Sequence, residues 1–128
     1  MGRLMKDEKL VPDLVLCSTA QRTRETAALF FADWVVSPSI TFRDDLYHAS
    51  PAQIESILNS IDDSIENLMI IGHNPGLEDF LNQHTGNVLN LPTAALARVD
   101  FELDSWSHFK DVTHGTRIIF WRPGDFSD

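Results

Sequence analysis

Apolar residues fall in short blocks along this chain, and the spacing inside the blocks alternates between strand-like and helix-like. Residues 14–17 (LVLC) form a continuous apolar run after Pro12, the pattern of a strand buried on both faces. Over residues 19–32 the apolar positions spread to helical spacing. Ala20, Ala27, Ala28 and Leu29 to Phe31 supply much of one face, and Ser18 or Thr19 is placed to cap the first turn. Residues 40–42, after Pro38, read as a short strand. Residues 51–61 read as a helix with Ser50 as N-cap, Pro51 in its first position, and Ile54, Ile57, Leu58 and Ile61 on one face. Residues 68–71 (LMII) are a second buried run. Residues 75–83 predict another helix, with Asn74 as N-cap and Pro75 leading it. Residues 94–103 and 117–122 alternate well enough to be strands.

Strand and helix alternate through the first two-thirds of the chain, so the expected class is α/β with a mostly parallel sheet. The 128 residues suit a single domain with a real core. A formal net charge of −9 disfavours nucleic acid or an anionic membrane as partner, because both need a basic face. A phosphate site in this chain must therefore be a local basic pocket. The single cysteine, Cys17, excludes an internal disulfide framework and fits a cytoplasmic setting. No apolar run approaches the roughly 20 residues of a membrane span, and no leader pattern is visible.

The stretch LMIIGHNPGLEDF carries the first candidate chemistry. Its apolar run stops at Gly72, and His73 and Asn74 stand where a buried strand gives way to a helix. Ligands of open parallel sheets bind beyond the carboxyl ends of the strands. A helix N-terminus there offers free backbone N–H groups and a favourable dipole for an anion. A histidine at that point donates a hydrogen bond and titrates near neutral pH; the plainer reading is a turn histidine. LVLCSTAQRTRETA repeats the arrangement, with Ser18 at the strand end and Arg22 and Arg24 in the first helical turns. Arginine is disfavoured near a helix N-terminus unless an anion or a carboxylate offsets it. Arg24 reads best as a surface partner of Glu25 or a nearby Asp. Arg22 is either an anion ligand or a second surface partner of such carboxylates.

These stretches resemble the histidine phosphatase (phosphoglycerate mutase-like) superfamily, and its SixA-like phosphohistidine phosphatase branch most closely. The pattern of Ser, three residues, Arg, two residues, Gln or Glu, then Thr is matched by Ser18, Arg22, Glu25 and Thr26. The Gly-His-Asn-Pro-Gly motif is matched by Gly72 to Gly76. LYHASPAQIESIL resembles the segment between them, and TAALARVDFELDSW and TRIIFWRPGDF resemble the closing strands. The resemblance implies a three-layer sandwich around a mostly parallel sheet. It also implies a metal-free, cofactor-free phosphatase acting on a phosphorylated protein (phosphohistidine) or a small phosphate ester, in signal transduction. By resemblance, Arg22 and His73 bind and stabilise the phosphoryl group, with Ser18 and Asn74 as further phosphate contacts. His48 stands where the family commonly carries a Glu proton donor; it is either that acid or an exposed loop histidine. His84 and His108 read as surface or structural.

The chain departs from the family at its start. The family's first strand ends in an Arg-His motif whose His is the nucleophile. MGRLMKDEKLVPD instead resembles the end of the first helix. His114, in THGTR, lacks the preceding Arg and is a poor replacement. The expectation is a single domain over residues 1–128 that lacks its first strand, either as a truncated product or as a shortened homologue. Such a chain retains the phosphate-binding part without the attacking group, and it associates through exposed sheet edges. The alternative function is an inactive module that binds phosphate or a phosphoprotein. A metal hydrolase is disfavoured, since no His-x-His, His-Glu-x-x-His or clustered Cys/His spacing occurs.

Overall fold

Pro12 leads into β1 (Leu14–Ser18), the most buried and the middle strand of a three-stranded parallel sheet ordered β2-β1-β3. The computed structural model describes residues 11–36, 38–74, 76–85, 96–111 and 117–121. After β1 come α1 (Gln21–Phe30), β2 (Ser39–Arg43), a 3-10 turn (Asp44–Leu46), α2 (Pro51–Asn59), β3 (Leu68–Ile71) and α3 (Gly76–Thr85). Then follow β4 (Leu96–Asp100), a second 3-10 segment (Trp106–Asp111) and β5 (Arg117–Trp121).

The register of β1 against β3 is set where the strands begin. Asp13 accepts hydrogen bonds from the backbone N–H groups of Glu66 and Asn67 at 3.0 and 2.9 Å, and its own N–H donates to the Asn67 carbonyl at 2.7 Å. Leu14 then lies opposite Leu68 and Cys17 opposite Ile71. On the other side Leu14 pairs with Ser39 and Ser18 with Arg43. All three strands therefore finish together, and their carboxyl ends share one edge of the sheet.

Strand periodicity sends alternate β1 residues to opposite faces. Val15 and Cys17 pack with Ala27 and Phe31 from the α1 side and with Ile71. Leu16 packs with Leu46, Ile54, Ile57, Leu58, Phe80 and Phe109 on the face covered by α2 and α3. Helices on both sides of the sheet make the expected three layers. The α2 helix starts as the sequence predicts: Ser50 Oγ accepts from Gln53 N–H at 3.2 Å, and Gln53 Oε1 accepts from Ser50 N–H at 2.8 Å.

Three local expectations are corrected. The α1 helix begins at Gln21, with Ala20 at the N-cap and no side-chain cap, rather than at Ser18 or Thr19. Leu29 does not belong to its apolar face and is 80% exposed. The inward stripe runs through Thr23, Ala27 and Phe31, four residues apart, and Leu29 falls about half a turn away from it. Residues 101–103 are not part of a strand. There Phe101 leaves β4 and stacks edge-on against Phe109 at 4.9 Å.

Antiparallel pairing joins β4 to β5, with Leu96 opposite Trp121, and among the described residues these two strands are not hydrogen-bonded to the parallel sheet. The outer side of β3 is consequently unpaired among the described residues. No helix among them is long and apolar enough to cross a membrane. The opening residues 1–10, Pro75 and His114 lie outside the described residues.

Candidate functional site

At the carboxyl edge of the sheet the ends of β1 and β3 deliver two turns to one place. Ser18 ends β1 and is fully buried, and its Oγ lies 2.8 Å from Nε2 of His73, two residues beyond β3. The same Oγ accepts from Ala20 N–H at 3.3 Å. The turn between β1 and α1 is braced on every carbonyl. Thr23 Oγ1 reaches the Ser18 and Ala20 carbonyls, each at 2.8 Å, and Arg24 Nε donates to the Thr19 carbonyl at 2.8 Å.

A third segment completes the cluster. Tyr47 and His48 follow the first 3-10 turn, and their rings meet edge-on at 4.4 Å. The Tyr47 ring also lies against His73, with centroids 5.3 Å apart. His48 has φ 60°, the left-handed region that a non-glycine residue occupies only when its surroundings hold it there. The support comes from α3: a Cβ on Gly76 would overlap the Ala49 carbonyl oxygen, so the backbone just after His48 is seated directly on the first turn of that helix. Glycine is required at 76 for this close approach.

Cationic groups converge on His73. Its pKa is held below the ordinary imidazole value, first by burial and then by the positive charges of Arg22 and His48. Arg22 is exposed on α1, and its guanidinium makes no hydrogen bond or ion pair among the described residues. Glu25, its sequence neighbour, instead accepts a hydrogen bond from Gln21 at 3.1 Å. The nearby carboxylates are engaged elsewhere: Asp44 accepts from Thr19 Oγ1 at 2.7 Å, and Asp45 forms a bidentate pair with Arg43 at 2.6 and 2.9 Å. Arg22 and His48 thus bring positive charge to His73 in a chain that is acidic as a whole.

The structure places the sequence candidates as follows. Arg22, His48, His73 and Ser18 come together, with Ser18 beneath the cluster and the other three toward solvent. Asn74 is exposed, and its Oδ1 accepts from Glu78 N–H at 3.3 Å at the start of α3. Arg24 has no ion-pair partner among the described residues: besides bracing the turn, its guanidinium stacks 4.4 Å above the Phe42 ring. His84 is buried among Phe80, Phe101 and Phe109, away from the site. Sequence reasoning gave no role to Thr23, or to Tyr47 and Gly76 beyond the segments that contain them. Gly76 at the head of a predicted helix was the available signal, because glycine lacks a propensity reason to stand there. Tyr47 carried none.

With these elements in place, the fold superposes on a solved structure from Nakamurella multipartitia assigned as the phosphohistidine phosphatase SixA. The TM-score is 0.76, covering 96% of this chain and 77% of that one, at 19% identity. This chain has the SixA-like histidine phosphatase fold. A second structure, assigned as SixA of Agrobacterium tumefaciens, is 30% identical with a TM-score of 0.57, over 63% of this chain and 51% of that one. Two uncharacterized proteins of Mycobacterium tuberculosis are each 36% identical over 63 residues. That stretch is 49% of this chain and 37% of their length, so the chain spans little more than a third of the curated relatives it matches. No protein-family model matches the chain. In the SixA-like frame the site described above occupies the turns after two neighbouring parallel strands.

Proposed function

We propose that these 128 residues form one phosphohistidine-phosphatase-like domain lacking its first strand, which holds a phosphoryl group but does not supply the group that attacks it. The observation that carries this reading is the convergence of Arg22, His48 and His73 at the carboxyl edge of the parallel sheet. Arg22 offers a planar fork matched to two phosphoryl oxygens. His73 donates to a third oxygen, and both stabilise charge as it redistributes during transfer. His48, exposed at the rim, donates the proton that a departing alkoxide or imidazole nitrogen needs.

In the complete reaction a histidine nitrogen attacks phosphorus as the bond to the leaving group breaks, and the leaving group takes its proton from His48. Water then attacks the phosphohistidine, returning the free imidazole and releasing phosphate. The attacking histidine of this scheme comes from a strand beside β3, whose outer side is unpaired among the described residues. The substrate class is a phosphohistidine protein or a small phosphate ester. The second reading, a module that binds phosphate or a phosphoprotein without turnover, applies to the isolated chain if Arg22 and His73 bind and His48 transfers the proton, because that assignment leaves no clustered side chain to attack.

The test compares this chain with a version fused to a family-type first strand and helix. Both are assayed on a phosphohistidine protein and a generic phosphate ester, and both are melted with and without phosphate. Turnover by the fusion alone, with phosphate raising the melting temperature of both, is the expected result. Arg22→Ala in the fusion should lower kcat by about two to three orders of magnitude, the usual loss for one preorganised donor. Equal turnover by both chains would place the nucleophile within these 128 residues. No phosphate stabilisation of either would end the phosphate-site reading.

A further inference from the structure

We propose that Ser18 is a positioning residue that holds His73 in its Nδ1–H tautomer, leaving that N–H as the donor to a bound phosphoryl oxygen. The second half of this statement rests on the function proposed above; the first half stands on hydrogen-bond accounting alone. A serine hydroxyl has one proton to give and two lone pairs to receive. Ser18 Oγ has two partners: the Ala20 N–H, which can only donate, and His73 Nε2. If Nε2 carried the proton it would donate to Oγ, and the Ser18 proton would be left in a fully buried position without an acceptor among the described residues. An orphaned buried donor is disfavoured by roughly tenfold or more in population. If Nδ1 carries the proton, Ser18 donates to Nε2 at 2.8 Å, both Ser18 and Nε2 are satisfied, and the Nδ1–H is left for a ligand or solvent.

The arrangement is rigid where it needs to be. Thr23 and Arg24 brace the three carbonyls of the turn, which holds in place the backbone that carries Ser18. The Tyr47 ring limits rotation of the His73 imidazole from the other side. Nδ1 of His73 has no hydrogen-bond partner among the described residues and is thus the nitrogen available to a ligand. The same accounting disfavours the imidazolium, whose two N–H groups would again orphan the Ser18 proton. That agrees with the depressed pKa of His73, to which burial, Arg22 and His48 already contribute. An unconstrained histidine side chain prefers the opposite, Nε2–H form, so the proposal predicts a reversal of the ordinary preference.

Long-range proton–nitrogen correlation spectra of the imidazole rings, recorded above neutral pH on the full chain, test it. His73→Gln identifies the His73 signals. The expected result is an Nδ1–H pattern for His73 in the wild type and an Nε2–H or mixed pattern in Ser18→Ala, with Ser18→Thr, which keeps the hydroxyl, restoring the first. An Nε2–H pattern in the wild type would overturn the proposal without needing any variant to fold. So would an unchanged pattern in Ser18→Ala. Titration with inorganic phosphate separates the two halves. An Nδ1–H tautomer whose resonances ignore phosphate supports the role of Ser18 and counts against the phosphate site. Binding weakened about tenfold in Ser18→Ala, with the tautomer switched, supports both.

Discussion

Gly76→Ala sets two physical effects against each other, and they differ in sign. Gly76 opens α3, and its backbone does not lie in the left-handed region, so alanine meets no conformational penalty there. Helix propensity alone therefore predicts stabilisation by about 0.5–1 kcal/mol. The added methyl, however, would overlap the Ala49 carbonyl oxygen, and a backbone carbonyl cannot rotate aside as a side-chain tip can. Forcing a methyl into such a contact typically costs about 1–3 kcal/mol. The clash should win, leaving a net loss of roughly 1–2 kcal/mol. For a chain of this length that is a fall in Tm of about 3–10 °C. The displaced backbone is the one that carries Tyr47 and His48, so phosphate binding should weaken along with stability. Thermal unfolding followed by circular dichroism, with and without phosphate, reads both. A Tm that rises, or phosphate stabilisation that is undiminished, would refute the claim that this contact seats the His48 loop.

Ile54→Ala should destabilise by about 2–5 kcal/mol, because Ile54 is 1% exposed at the centre of the cluster formed with Leu16, Leu46 and Phe80; urea unfolding measures it. The depressed pKa of His73 makes the neutral imidazole the form favoured by folding. Its contribution is therefore fully present above the unfolded value of 6.5 and is lost as pH falls below it, toward the lower folded value. Between pH 7 and 5 the wild type should lose stability more steeply than His73→Gln, and parallel curves would contradict this. Burial pushes the Cys17 thiol pKa up, so a thiol-alkylating reagent should leave Cys17 unmodified in the native chain and modify it fully in denaturant, as mass spectrometry would read.

Legibility in the sequence followed the range of the interactions involved. Residues 68–71 were recognisable as a strand because four consecutive apolar side chains have few alternatives, and β3 covers that span. The start of α2 was recognisable because Ser50, Pro51 and Gln53 interact within one turn. The boundary of α1 was harder. Ser18 had two possible employers, the helix N-terminus and His73, and the second lies 55 residues away. The apolar side chain of Leu29 predicts an inward position, whereas the phase of the helix is set by Thr23, Ala27 and Phe31 against Val15 and Cys17. Arg24 looked like half of a surface ion pair because its neighbours in sequence are charged, yet its partners are a carbonyl and an aromatic ring brought by β2.

By itself the sequence determined the α/β alternation, the two strand-to-helix turns and the residue types stationed there, because periodicity, capping and turn chemistry act over a few residues. It also determined that any anion site had to be a local exception in a chain of net charge −9. Only the tertiary structure decided that His48 joins His73, that Ser18 meets the His73 imidazole, and that Gly76 seats the loop between them. It alone decided that β4 and β5 pair with each other and, among the described residues, are not hydrogen-bonded to the parallel sheet. These outcomes depend on which surfaces meet when distant segments pack. A single residue's contribution to that choice is smaller than the summed burial of the two clusters on either side of β1, so no short pattern in the chain encodes it.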